Sequence, residues 1–326
     1  MRVFVTGAKG FVGRALTARL REQGVQVCGV DTTAAPLDDV VEGDIGEPGK
    51  WQSKAKGCDL VVHTAAVVSN ALDFNTTWRI NVLGTKHAID AAVLGGASRF
   101  VHISSIRAFS DLDFPDGVDE EYPVRTDGNP YVDTKIAGEQ VALQAHSEER
   151  VQVSVIRPGD VYGPGSRPWT LLPIELIKKN RFLLPKMGNG IFSPVYIDDL
   201  VDGLLLAASR PEAIGQVFTM TGGQAVTCKE FFGYYCRMLG KGGPIVVPTP
   251  VAIAGSRIVS TISKISRTQT EVNPTSTLYL ARRGTYSIAK ARRLLGYGPR
   301  IQLAEGMALT RDWLSNQGFL DSPPRR

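Results

Sequence analysis

The 326-residue chain is poor in the residues that usually hold metals, with four cysteines and four histidines. Cys28, Cys58, Cys228 and Cys236 form no C-x-x-C pair, and none has a histidine nearby at ligand spacing. No metal site is therefore expected, and the thiols read as reduced, in a cytoplasmic setting. No run approaches the ~18 apolar residues of a membrane span. The chain starts directly on a strand pattern, so no leader is expected. The net charge is only +5. Its basic residues are scattered except near Arg282, Arg283, Arg292, Arg293 and Arg325-Arg326. Without a basic stripe interleaved with aromatics, nucleic acid is not an expected partner. What remains, 43% hydrophobic and 21% charged, is an ordinary globular composition. It suffices for one large α/β domain plus a smaller lobe.

What is present begins at the N-terminus. Val3-Phe4-Val5 is a short apolar run that breaks at Gly7 and passes into a helical pattern carrying Phe11, Val12, Ala15, Leu16 and Leu20. Glycines at 7, 10 and 13 stand where a strand-to-helix turn brings its backbone against a phosphate. A side chain at Gly7 would spoil the turn, one at Gly10 would hold a pyrophosphate off, and one at Gly13 would push the helix from the sheet. The free N–H groups at Phe11, Val12 and the rest of the first turn can then receive the anion. A second strand, Val25 to Val30, ends in Asp31. An acid there accepts hydrogen bonds from both ribose hydroxyls of an adenosine and repels a 2′-phosphate. The expected cofactor is NAD rather than NADP.

The alternation continues. Val40 to Ile45 reads as a third strand, with Asp44 and Ile45 near the adenine edge, and Trp51 to Lys56 as a short helix. Asp59 to Thr64 reads as a buried strand, and the small Ala65 and Ala66 after it let a cofactor lie against the backbone. His63 reads as a packed core residue. A long helix is expected from Asn75 to Leu94. Within it Asn81 is a poor helix former, either a packing amide or the water-holding element of a proton relay. Arg99 to Ser105 is a strand ending in Ser104 and Ser105, where ligands of open parallel sheets bind. After an irregular loop, Pro130 opens a helix carrying Tyr131 and Lys135 on one face. Val151 to Arg157 leads to Pro158, Gly159 and Val161, and there the alternation is lost. The domains expected are residues 1–164 with a return segment at 193–212, and a substrate lobe of 165–192 and 213–326.

A free phenol, with pKa near 10, is too weak a base near neutrality. The Lys135 ammonium and a nicotinamide cation both favour phenolate. Tyr131 could then take an alcohol proton while Ser105 holds the oxygen, and Lys135 could also hydrogen-bond the nicotinamide ribose. Tyr286 and Lys290 repeat the spacing without a strand-end serine before them, so spacing alone is no evidence.

Together the glycine turn, His63-Thr64-Ala65-Ala66, Asn81, Ser104-Ser105, Tyr131-x-x-x-Lys135 and Arg157-Pro158-Gly159-x-Val161-Tyr162-Gly163-Pro164 resemble the extended short-chain dehydrogenase/reductase superfamily. The resemblance implies a Rossmann-type doubly wound parallel sheet with a smaller mixed α/β C-terminal lobe. It implies catalysis by Ser105, Tyr131, Lys135 and Asn81. It implies NAD held by Gly7, Gly10, Phe11, Val12, Gly13, Asp31, Asp44, Ile45, Ala65, Ala66, Ser104, Tyr131, Lys135, Pro158, Gly159 and Val161. Ser104-Ser105-Ile106 and the run after His63 look like the 3β-hydroxysteroid and sterol-4-carboxylate dehydrogenases. The nucleotide-sugar epimerases usually carry a diphosphate-binding arginine where this chain has Phe192, and their second has only a partial echo in Arg282-Arg283-Gly284.

The expected function is oxidation of a secondary alcohol on a bulky apolar, sterol-like molecule. A nucleotide-sugar epimerase or dehydratase is the alternative, and a non-catalytic NAD(H)-sensing scaffold a remote one. A small-molecule substrate and a homodimer are expected. Val251, Ala254, Gly255, Ile258, Ile262 and Ile265 recur at helical spacing, with Arg257, Lys264 and Arg267 mostly off that stripe. The stripe reads as core packing, or as peripheral contact with anionic lipid.

Overall fold

The computed structural model describes residues 1–110, 113–266 and 268–320. Arg267, Arg325 and Arg326, singled out above, lie outside them. From the N-terminus the elements are β1 (Arg2–Thr6), α1 (Phe11–Glu22), β2 (Gln26–Asp31), β3 (Val40–Glu42), β4 (Leu60–His63) and α2 (Phe74–Trp78). There follow α3 (Gly84–Gly95), β5 (Arg99–Ile103), α4 (Pro130–Ser147), β6 (Gln152–Pro158) and β7 (Asp160–Tyr162). The short runs of valine and isoleucine become strands because the large sheet is covered on both faces, where continuous apolar stretches are stable. Its seven strands are parallel, in the order β3-β2-β1-β4-β5-β6 and then β11 (Val217–Met220). Sequence order reverses between β1 and β4, which opens a crevice at their carboxyl ends.

The second half adds α5 (Leu172–Lys178), β8 (Leu183–Leu184), β9 (Ile191–Phe192), β10 (Pro194–Tyr196), α6 (Ile197–Ser209) and, after β11, β12 (Val226–Thr227). Then come α7 (Cys228–Met238), β13 (Ile245–Val246), α8 (Thr249–Ile265), α9 (Pro274–Tyr279), α10 (Ala289–Leu295) and α11 (Leu303–Asn316). Three small two-stranded sheets join β7 to β10, β9 to β12 and β8 to β13. The smaller lobe is held by aromatic packing. Phe192 lies 4.3 Å from Phe231 and 4.9 Å from Trp169 between ring centroids.

Several expectations need correction. Val217–Met220 belongs to the large sheet as its edge strand, although the expected boundary at 213 assigns it to the lobe. It pairs in register with β6, Phe218 beside Ile156. The third strand stops at Glu42, and Asp44 and Ile45 form the turn after it. The expected long helix does run unbroken from Phe74 to Gly95, α2 passing into α3 through a π turn over Arg79–Leu83 that holds Asn81. The stripe on α8 is not core: the helix buries only Ala252 and Ser256. Phe192 is fully buried among the lobe's aromatics, so it cannot line a substrate pocket.

Candidate active site

The turn after β1 is built as its glycines require. Gly7 takes a positive φ of 67°, and a β-carbon there would meet the backbone of Ala65 at 2.8 Å, directly across the β1/β4 crevice. A β-carbon on Gly13 would stand 2.0 Å from the Gly7 carbonyl, so only glycine lets α1 approach this closely. Gly10 caps α1 with no side-chain bond, and the first turn carries no acid. The amides of Phe11 and Val12 thus open the helix at its positive end, as an anion site requires. Asp31, at the end of β2, accepts from the Lys9 amide at 2.8 Å and the Thr32 amide at 2.8 Å. These bonds fix its carboxylate beside the glycine turn. This cradle fits a dinucleotide, with the pyrophosphate on α1 and the ribose at Asp31.

Other expected contacts are partly committed elsewhere. Asp44 accepts from Arg79 at 2.7 Å and from the Gly46 amide at 2.8 Å. Partial burial opposes its ionisation, but the Arg79 and Gly46 bonds outweigh it and hold the carboxyl below the usual range. Ile45 is buried against Gly84. Ala65 takes a 3.3 Å bond from Thr6 Oγ1 at its amide, and Ala66 follows it, half-buried. Ser104 is buried, its amide bonded to Ile156 O at 2.7 Å. Gly159, between β6 and β7, sits where a β-carbon would lie 2.5 Å from Ser193 O. Pro158 and Val161 flank it on the same two strands.

Around Tyr131 the fold joins three segments. Ser105 caps a 3₁₀ turn over Ile106–Phe109, its Oγ accepting from the Arg107 amide at 3.1 Å. Tyr131 stands in the first turn of α4, where Asn129 caps the helix by accepting from its amide at 3.0 Å. Lys135, one turn on and 4% exposed, donates to the Ile103 carbonyl at 2.5 Å, two residues before Ser105. Burial pulls the Lys135 ammonium down to about 8, against the opposing charge of Glu139. Glu139 itself is locked to Arg157 by a two-pronged buried pair, one prong at 3.0 Å. His63 has both ring nitrogens bonded, to Thr6 Oγ1 at 2.7 Å and Thr85 Oγ1 at 3.1 Å. Burial, with Lys135 adding to it, drives its pKa down to about 3. It is a neutral core residue stitching β1 to α3.

Asn81 is spent on architecture. Its amide oxygen accepts from the Val67 amide at 2.9 Å, and its nitrogen donates to Val67 O and Thr134 Oγ1, both at 3.2 Å. It ties the loop after β4 to α4.

Sequence reasoning passed over Arg107, Asn70 and Tyr279. The Arg107 guanidinium lies 4.9 Å from the Tyr131 ring centroid and 4.8 Å from that of Tyr279, and donates to Asn70 Oδ1 at 2.9 Å. Asn70 also accepts from Asn129 Nδ2 and, at its carbonyl, from Asn273 Nδ2, each at 3.1 Å. Glu271 holds the Ser69 hydroxyl at 2.6 Å and the Asn70 amide at 3.0 Å. The C-terminal lobe thus grips the loop beside Tyr131. The one signal was an arginine two residues past a strand-end serine, and nothing local says that such an arginine is buried.

The partial echo at Arg282 is also resolved. Arg282 is 0% exposed at its side chain, pairs with Asp160 at 3.1 Å and stacks 3.7 Å from the Tyr279 ring centroid. Burial raises the Asp160 carboxyl even so, against Arg282's charge, the Tyr279 hydroxyl and the Ser193 amide.

The model of the NAD dependent epimerase/dehydratase family matches residues 3–220. The chain belongs to that family. It is an NAD-dependent enzyme of the extended short-chain dehydrogenase/reductase type. A 4-hydroxy-2-methyl-3-oxo-4-farnesyl-3,4-dihydroquinoline-1-oxide ketoreductase of Stigmatella aurantiaca is 27% identical, covering 98% of this chain and 99% of the relative. A 3-beta-hydroxysteroid dehydrogenase of Mycolicibacterium neoaurum is 28% identical over 94% of this chain and 89% of its own. A dTDP-glucose 4,6-dehydratase of Streptomyces antibioticus is 29% identical over 96% and 92%. Among solved structures, MoeE5 in complex with UDP-glucose and NAD superposes with a TM-score of 0.78 at 25% identity, over 97% of this chain and 99% of that one.

Proposed function

We propose that the enzyme oxidises a secondary alcohol on a bulky apolar, ring-bearing substrate of the 3β-hydroxysteroid or sterol-like kind. The observation that carries this reading is the state of Arg282. The residue standing nearest to a diphosphate-binding arginine is sealed in the protein, with its charge met by Asp160. A diphosphate calls for charge-assisted, bidentate partners, and this one is taken. Arg107, the other cation near Tyr131, is likewise committed, donating to Asn70 and lying over the buried Tyr279 ring. The relatives acting on a farnesylated dihydroquinoline oxide and on a 3β-hydroxysteroid support the same class.

In this reading Tyr131 is the base that takes the hydroxyl proton as the carbinol C–H bond breaks and the carbonyl forms. Ser105 donates a hydrogen bond to the substrate oxygen. Lys135, positive beside the phenol, favours its deprotonated form, and Asn81 keeps the adjoining loop in place. NAD bound in the glycine cradle supplies the hydride acceptor.

Arg107 and the likeness to the UDP-glucose complex favour a second reading, a nucleotide-sugar epimerase or dehydratase. Absorbance at the NADH band with a panel of hydroxysteroids and nucleotide sugars separates the two. Stoichiometric NADH with a steroid is expected. Micromolar binding of UDP or dTDP by calorimetry, with sugar interconversion and no net NADH, would replace the first reading by the second.

A further inference from the structure

Helix α8 presents a face that the fold leaves without a partner. Val251, Ile258, Ile262 and Ile265 fall on one line of the helix and are 53%, 61%, 59% and 78% exposed. Single exposed apolar residues are ordinary, but a contiguous apolar surface marks an interaction site. Neighbouring elements carry exposed apolar residues as well. Ile245 and Leu183, paired in register across β13 and β8, are exposed, as is Met187, whose amide bonds Val247 O at 3.1 Å just before α8. Leu278, on the adjoining α9, is exposed as well.

Charge decides what covers this face. From Phe231 to Thr270 the sequence holds no aspartate or glutamate, while Arg237, Lys241, Arg257 and Lys264 lie among the described residues. From Leu176 to Ile197 there is again no acid, with Lys178, Lys179, Arg181 and Lys186. Arg257 and Lys264, seven residues apart, share a flank of α8 beside the apolar line. The acids bounding the two stretches are Glu175, Asp198, Glu230 and Glu271; Asp198 faces Arg19, and Glu271 is hydrogen-bonded to Ser69 and Asn70. A second copy docked through this face would set like charges against each other, which disfavours association. An apolar line flanked by cations, with no acid in either stretch, suits an anionic bilayer instead.

We propose that α8, with the tips of β8, β13 and α9, is a peripheral docking surface for anionic lipid. The isoleucines enter the acyl boundary while Arg257 and Lys264 reach the headgroups. No helix among the described residues is long and apolar enough to cross a membrane, so the contact lies in the interface plane. The face also adjoins the site, because α9 carries Tyr279 against Arg107. If the apolar-alcohol reading holds, substrate dissolved in lipid has a short route to Tyr131.

The test is co-flotation of the full chain with phosphatidylcholine vesicles, with and without phosphatidylserine. It involves no turnover, so its outcome is independent of the substrate reading. Binding to the phosphatidylserine vesicles is expected at low salt, falling at least tenfold at high salt and weak on phosphatidylcholine alone. Ile258→Asp with Ile262→Asp should abolish it while leaving the melting temperature and NAD binding unchanged, since both residues face solvent. Arg257→Gln with Lys264→Gln should weaken it and flatten the salt dependence. Failure of the wild type to float with phosphatidylserine vesicles at low salt would overturn the proposal. So would a dimer in solution that Ile258→Asp converts to monomer, which would make the face a contact between copies.

Discussion

Two tyrosine–lysine pairs at the same spacing stand in different surroundings in this molecule. Tyr131 and Lys135 share one face of an 18-residue helix, both buried, with Arg107 over the phenol and Ile103 O holding the ammonium. Tyr286 and Lys290 share no helix. Tyr286 lies in an extended segment bridged to Val118 and packs against Phe109 and Phe114 at 5.7 and 5.1 Å. Lys290 sits in the first turn of α10, 5.3 Å over the Phe218 ring. A spacing of four puts two side chains side by side only on a helix. Even then, chemistry needs a fixed charge beside the phenol and a strand end that delivers a partner hydroxyl.

The sharpest way to break this contrast is to remove each hydroxyl. Tyr131→Phe should lower turnover by ~10²–10⁴, the usual share of acid–base catalysis, with NAD binding by fluorescence quenching retained. Tyr286→Phe should leave turnover nearly unchanged. Equal losses would mean that the helix face was the wrong criterion.

Next in size is the support under Lys135. Glu139→Ala leaves Arg157 buried without its carboxylate, and breaking such a pair costs about 3–5 kcal/mol, read by denaturant unfolding. Glu120, which accepts from the Thr219 amide near the second pair, faces only the half-buried Lys290, and Glu120→Ala should cost less than half as much.

The lysines themselves sharpen the contrast through pH. Lysine ordinarily titrates at 10.5, and burial brings Lys135 to about 8. Below pH 8 both folded and unfolded chains hold the proton, and the fold bears the full cost of a buried ammonium. Between 8 and 10.5 only the unfolded chain keeps it, so this group's contribution to stability improves as pH rises. Lys135→Met should therefore melt higher than wild type at pH 7, with the gap closing toward pH 10.5, while its turnover falls. The smallest effect belongs to Lys290→Met, expected within about 0.5 kcal/mol, as for surface substitutions.

The nucleotide half was legible because its determinants are local. Gly7, Gly10 and Gly13 encode backbone geometry directly, and the apolar runs encode buried parallel strands. Ser105, Tyr131 and Lys135 were singled out by their order along the chain, and the fold brings their segments together. Arg107 was not, because burial of a cation is a tertiary fact, fixed by Asn70 from the loop after β4 and by Tyr279 from α9. Asn81 was noticed for its poor helix propensity, yet its bond to Val67 comes with a π turn that no periodicity announces. The lobe was the least legible. Phe192 and Val251 look equally apolar in sequence, but one closes the aromatic core and the other faces solvent.

The central claim is that the chain passes a hydride from an apolar alcohol to a cofactor that leaves as NADH, with Tyr131 as base. It is tested most directly by mass spectrometry of free cofactor after turnover of a hydroxysteroid deuterated at its carbinol carbon. One deuterium in released NADH per ketone formed, at a rate ~10²–10⁴-fold lower in Tyr131→Phe and nearly unchanged in Tyr286→Phe, is the predicted result. No label in the free cofactor from any steroid, with label retained inside an interconverted nucleotide sugar, would contradict it.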